Sequence, residues 1–192
     1  MCIHLGQRKL LLTEVSFLTS HGNLSKNIVY IGAAPGHHIE FLSTLFPNHT
    51  FYLYDPRDFS IKQNSKIFIF QKYFEINDIN FLDDFILISD IRQNINVKLM
   101  SQDEICNIVM EDMELQKNWV INLKPKASIL KFRIPLFCNT FEYLDGKIIE
   151  QPWAPESTFE TRLIVDKELS TKTYNTKDYL DFLGEFQNKR QN

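Results

Sequence analysis

Glycine and proline are scarce in this chain, 6 and 7 among 192 residues. That excludes collagen-like and glycine-rich disordered classes and makes each remaining glycine informative about the backbone. Cysteines number 3, at Cys2, Cys106 and Cys138. They are odd in number and lack metal-ligand spacing, which reads as reduced structural thiols and excludes a disulfide scaffold. The 5 histidines form neither an HxxxH nor an HExxH pattern, so no structural metal is expected. No apolar run approaches the roughly 18 residues that span a bilayer, so no membrane role is expected. The opening stretch, "MCIHLGQRKLLLTEVSF", has no signal-peptide pattern, which points to the cytoplasm. A net charge of −3 gives no global field for nucleic acid and leaves only local patches.

What is present suits one globular domain over residues 1–192, with 44% hydrophobic residues and 16 phenylalanines. Short apolar runs recur: "IVYIG", "TFYLYD", "KIFIF", "FILISD" and "ASILKF". Each is of strand length and rich in branched or aromatic residues, as in strands covered on both faces. Helical patterns lie between several of them, notably "SQDEICNIVMEDMELQKNWVINL", and an early helix buries Leu11, Val15 and Leu18 opposite Lys9, Thr13, Ser16 and Ser20. "FEYLDGKIIEQP" predicts a hairpin turning at Asp145-Gly146, "ETRLIVD" a further strand, and the tail a helix using Tyr179, Phe182 and Phe186. Five βα-type units and a hairpin predict an α/β fold. Its doubly wound sheet is mostly parallel, with helices on both faces and an antiparallel strand near one edge.

Ligands of such sheets sit beyond the carboxyl ends of the parallel strands. Polar residues there become the candidates. In "YIGAAPG" small residues at Gly32, Ala33, Ala34 and Gly36 would let a ligand approach the backbone. The spacing is not the GxGxxG dinucleotide fingerprint, which disfavours a nicotinamide oxidoreductase. Asp55 ends the second strand, where a carboxylate can accept the ribose hydroxyls of an adenosine cofactor, with Arg57 beside it. Asp90 ends the fourth strand and Lys131 the fifth. Glu160 starts the last strand, and an antiparallel course would bring it to the same edge; Lys9 on the first helix could complete the set.

The stretches "GQRKLLLTEVSFL", "VYIGAAPGHHI", "ILISDIR", "ASILKFRIP" and "QPWAPESTFETRL" resemble, in order, the poxvirus-type cap-specific mRNA 2′-O-methyltransferases. Those proteins are also known as regulatory subunits of the viral poly(A) polymerase, and fall within the broader FtsJ-like RNA 2′-O-methyltransferases. The resemblance implies a Rossmann-like class I methyltransferase sheet, S-adenosylmethionine as cofactor, and capped mRNA as the RNA partner. It also implies a polymerase or capping-enzyme subunit as a further partner. The family's Lys-Asp-Lys-Glu tetrad falls on Lys9, Asp90, Lys131 and Glu160. Its cofactor contacts fall on Gln7, Tyr30, Gly32, Gly36, Asp55, Arg57, Phe74 and Asp90, and its RNA contacts on Arg133, Trp153, Ser157, Thr158 and Phe159. Leu136, Cys138 and Ser157 depart from its cap-contacting residues, and Phe137 or Trp153 could supply the missing ring.

A ribose hydroxyl is a poor nucleophile, so transfer needs alignment and removal of its proton near attack. Lys131 is the expected general base, with Asp90 and Glu160 holding the two amines. Arg8, Arg92, Lys124, Lys126 and Arg133 are expected to meet phosphates along the same edge. Two other readings remain: a methyltransferase for uncapped RNA, and a non-catalytic RNA-binding subunit of a viral polyadenylation or transcription complex.

Overall fold

The computed structural model describes residues 5–91, 93, 100–134, 139–152 and 161–190, with residues 5–7, 102 and 185–190 described by backbone alone. All five apolar runs are strands: β1 (Asn27–Ile31), β2 (Thr50–Tyr54), β3 (Ile67–Phe70), β4 (Ile86–Ser89) and β5 (Ser128–Phe132). They lie parallel in the order β3-β2-β1-β4-β5. Antiparallel β8 (Thr161–Val165) and then β7 (Lys147–Ile149) extend the sheet to seven strands.

The strands carry no polar alternation because both faces are covered. Ile28, Tyr30, Ile86, Ile88 and Ile129 pack beneath α1 (Leu5–His21) and α2 (His37–Leu45). Val29, Ile31, Leu87, Leu130 and Phe132 face α3 (Gln102–Leu123), α4 (Thr176–Arg190) and a small second sheet, β6 (Thr140–Leu144) paired with β9 (Thr171–Asn175). Each fully buried side chain of this kind contributes about 1.5–3 kcal/mol. A capping box opens α3, with Ser101 Oγ accepting the Glu104 N–H at 3.2 Å and Glu104 Oε2 accepting the Ser101 N–H at 2.7 Å. No described helix is long and apolar enough to cross a membrane.

Four expectations give way. Only β1–β2 and β4–β5 are joined through α-helices among the described residues; β3 and β4 are linked by a single 3₁₀ turn, Ile76–Ile79. The predicted hairpin does not form. β6 pairs with β9 and β7 with β8, so Asp145-Gly146 carries the chain from the small sheet to the large one. Gly146 is required by close approach, since a Cβ there would stand 2.4 Å from the Ile164 carbonyl oxygen. In α4 the buried apolar residues among those described are Tyr179 and Leu183, whereas Phe182 is exposed and the Phe186 side chain lies outside the described set. In α1, likewise, Thr13 is buried and donates its hydroxyl to the Lys9 carbonyl instead of facing solvent.

Candidate functional site

The carboxyl ends of β1, β2 and β4 frame a cavity of about 540 Å³. One wall is Asp55, Pro56 and Arg57 after β2; another is Tyr73, Phe74, Leu115 and Trp119; the floor is Ile31, Gly32 and Ile91. Phe74 stands edge-on to both Tyr54 and Trp119, with centroids 5.0 and 5.5 Å away. Burial, with Asp78 and Tyr52 nearby, pushes the Tyr54 phenol up to about 12, so it stays protonated. A flat apolar slot beside a carboxylate is the composition of a nucleoside site.

Asp55 is buried, and four donors reach its carboxylate. Oδ1 accepts from Arg57 N–H and Nε, both at 2.9 Å; Oδ2 accepts from Ala34 N–H at 3.1 Å and Arg57 Nη2 at 2.7 Å. The hydrogen bonds that Arg57 donates to Asp55 hold the guanidinium's pKa above its usual value. Arg57, whose side chain is half-exposed, thus fills acceptor positions on both oxygens of the buried carboxylate.

The glycines also make room for the protein's own atoms. Gly32 has φ +81°, and a Cβ on it would lie 2.7 Å from the Asp90 carbonyl and Ile91 nitrogen. A Cβ on Gly36, also at φ +81°, would press on Ile61 at 3.0 Å. The protein's own atoms fill both spaces. Gly32 is needed because β1 and the segment after β4 converge there, Gly36 because Ile61 and Phe59 pack against it, and Gly32 still floors the cavity. Tyr30 is corrected more sharply. Its ring is on the α1 side of the sheet, and its hydroxyl donates to Glu14 Oε1 at 2.6 Å. It does not line the large cavity.

Next to this cavity, at the ends of β4 and β5, charged groups meet. Asp90 Oδ1 accepts from Arg162 Nη2 at 2.7 Å and stands 3.4 Å from Lys131 Nζ. Arg162 also donates through Nη1 to the Ser89 carbonyl at 3.3 Å. The antiparallel register sets Lys131 directly opposite Arg162, so the start of β8 does reach this edge. Glu160, two residues earlier, lies outside the described residues, as do Arg92, Trp153, Ser157, Thr158, Phe159, Leu136, Phe137, Cys138 and the side chain of Gln7. Lys9 is half-buried on α1, next to Leu10, which lines a small cavity together with Asp90 and Arg162. Arg133 follows β5 at the same edge. Lys124 and Lys126 precede β5 and so sit at its opposite end, Lys126 roughly 16 Å along the strand direction from Lys131 and Lys124 farther, not beside it as expected. Among the described residues no group of three or more His, Cys, Asp or Glu could hold a metal ion.

Below Asp90 lies a buried cluster that the sequence did not suggest. His38 Nε2 is 3.2 Å from Glu14 Oε1 and 3.0 Å from Oε2. Burial pulls the imidazole pKa down, but the Glu14 charge and hydrogen bond, with Asp90, outweigh it and an opposing push from Arg162, leaving it raised. A raised pKa means that the charged pair stabilises the fold below the unfolded value, about 6.5, and that this support fades as pH rises through the folded value. His38→Gln is therefore expected to lower Tm most at pH 6. The gap from the parent should narrow by several degrees toward pH 9, as read by scanning calorimetry; a constant gap contradicts it.

A sequence profile described as the poly A polymerase regulatory subunit matches residues 2–181. The chain belongs to that family. It is 37% identical over 183 residues to the cap-specific mRNA (nucleoside-2′-O-)-methyltransferase of Fowlpox virus (strain NVSL), covering 83% of this chain and 57% of the relative. The protein of the same name in Myxoma virus (strain Lausanne) is 33% identical over 180 residues, covering 84% and 52%. The chain thus spans about half the length of the curated relatives it matches. Among solved structures, the RNA-capping protein VP4 of bluetongue virus superposes with a TM-score of 0.70 at 17% identity, over 88% of this chain and 30% of that one. A putative ribosomal RNA methyltransferase from Plasmodium falciparum gives 0.50 at 13%, over 80% and 93%. At such identities the likeness establishes the methyltransferase-type fold alone.

For this poly A polymerase regulatory subunit family member, the sequence missed two residues that build the charged corner. Arg162 had a readable signal, a lone charge in "TRLIV" that no strand buries without a partner. Gln116 had none; it is an ordinary glutamine in an amphipathic helix until the fold places it. Asp112, a third omission, lines the large cavity, and burial raises its pKa against the Gln93 hydrogen bonds and the Lys131 charge.

Proposed function

We propose that the chain is a single methyltransferase domain that uses S-adenosylmethionine to methylate an RNA ribose 2′-hydroxyl. In this reading the target is the first transcribed nucleotide of capped mRNA. The observation that carries it is the meeting of Asp90, Lys131 and Arg162 beside a nucleoside-shaped cavity. The names of the viral relatives support both the reaction and its RNA. They also favour action in the host cytoplasm or virion.

The cavity suits the cofactor in size and chemistry, since sites for ligands of this kind enclose roughly 300–1,000 Å³ and mix apolar walls with a few placed polar groups. Asp55 would take the ribose once Arg57 turns aside. Phe74, Tyr73, Leu115 and Trp119 would enclose the adenine, and Gly32, Gln7 and Asp90 would border the remainder. The bound cofactor supplies an electrophilic methyl group on sulfur. Lys131 Nζ, held beside Asp90 and half-buried, would accept the proton of the ribose hydroxyl. Arg162 is the closer partner of Asp90, so it fixes the carboxylate that in turn orients Lys131. Lys9 and Glu160 would complete the group, with Arg133, Trp153, Ser157, Thr158 and Phe159 guiding RNA to it.

The family's description also favours a partner role beside a poly(A) polymerase. The discriminating assay is transfer of labelled methyl to matched RNAs with and without a methylated cap. Transfer at least tenfold greater to capped RNA supports the reading. Equal transfer moves the substrate to uncapped RNA, and none with either RNA leaves only a polymerase-binding role.

A further inference from the structure

We infer that Gln116 is a positioning residue that ties Lys131 to the helix forming the cofactor wall, an inference that rests on Lys131 being the proton acceptor. β4 stops pairing with β5 at Ser89 opposite Leu130. Beyond that point β4 turns away, and the Asp90 N–H donates to the Ile31 carbonyl at 2.9 Å. Lys131 lies one residue past Leu130, where the paired register of the two strands has ended. There Gln116 reaches its backbone from α3. Its Nε2 donates to the Lys131 carbonyl at 2.9 Å, and its Oε1 accepts the Lys131 N–H at 3.1 Å.

One primary amide thus imitates a strand residue, presenting a carbonyl acceptor and an N–H donor side by side. It is also fixed in place, being 1% exposed. The same helical stripe carries Asp112 four residues before and Trp119 three residues after, and both line the large cavity. The spacing of Lys131 from that cavity is therefore set through α3, and the wall that would hold the cofactor also sets the height of the lysine.

The test uses the full chain with Gln116→Met, close in shape but without the bonds, and Gln116→Glu, which keeps an acceptor for the Lys131 N–H and loses the donor to its carbonyl. Displacing a reacting group by about 1 Å costs on the order of 100-fold. The expected result is a kcat for RNA methylation about 10–100-fold lower in Gln116→Met. Gln116→Glu should fall between it and the parent, while Kd for S-adenosylmethionine, by calorimetry, stays within about threefold. A kcat within about twofold of the parent in either cofactor-binding variant overturns the inference. So does loss of cofactor binding in both, which would make Gln116 a folding residue. If the parent transfers no methyl to any RNA, the functional reading falls instead. The geometry is then read by acetylation of Lys131 with acetic anhydride, followed by mass spectrometry: at least fivefold faster reaction in Gln116→Met supports the clamp, and an unchanged rate overturns it.

Discussion

Lys131→Ala is expected to lower methyl transfer on the order of 1,000-fold while cofactor affinity changes by less than about threefold, because positioned proton acceptors contribute about 10²–10⁴ in rate. Lys131 is suited to the part by where the fold puts it. It ends β5, is paired across to Arg162, and stands 3.4 Å from the carboxylate that Arg162 also binds. Lys131→Arg sharpens the result, since it keeps charge and length yet cannot release its proton near neutral pH. It should be nearly as inactive as the alanine variant. Steady-state kinetics beside calorimetric titration of the cofactor checks both, and near-normal transfer by Lys131→Ala removes Lys131 from the mechanism.

The second large effect is expected at Asp55. Asp55→Ala should weaken S-adenosylmethionine binding about 100-fold, the loss of two hydrogen bonds to a charged acceptor at about 1.5 kcal/mol each. It should also destabilise the fold by about 2–3 kcal/mol, because the Ala34 N–H and the Arg57 guanidinium lose a buried partner. Arg57→Ala separates the two effects. It leaves the carboxylate in place with its acceptor positions open, so cofactor affinity should fall less than tenfold. If Asp55→Ala binds the cofactor as tightly as the parent, the large cavity is not the cofactor site.

The sheet was legible because its strands are buried on both faces, so five unbroken apolar runs could only lie inside a covered sheet. The β8 edge was equally readable, since "TRLIV" needed an antiparallel neighbour to bring its start beside Lys131. The hairpin failed because Asp-Gly is a local turn signal, and the decision was tertiary: Gly146 is there to let the chain pass the Ile164 carbonyl. Gly32 was only half readable for a related reason. Smallness records that something is close, and only coordinates show that the neighbour is the Asp90–Ile91 backbone. Tyr30 and Glu14 could not be paired from sequence, because their bond joins a strand residue to a helix that precedes it by another part of the fold. Lys124 and Lys126 were expected along the Lys131 edge, and they lie before β5, at its opposite end.

The claim on which all else depends is the atom that receives the methyl group. It is tested by incubating the chain with isotopically labelled S-adenosylmethionine and capped RNA, digesting the RNA to nucleosides, and separating the products by mass spectrometry. The account predicts label in a 2′-O-methyl nucleoside from the first transcribed position, and none after Lys131→Ala. Label on a base, or RNA that stays unlabelled while the cofactor binds, would contradict it.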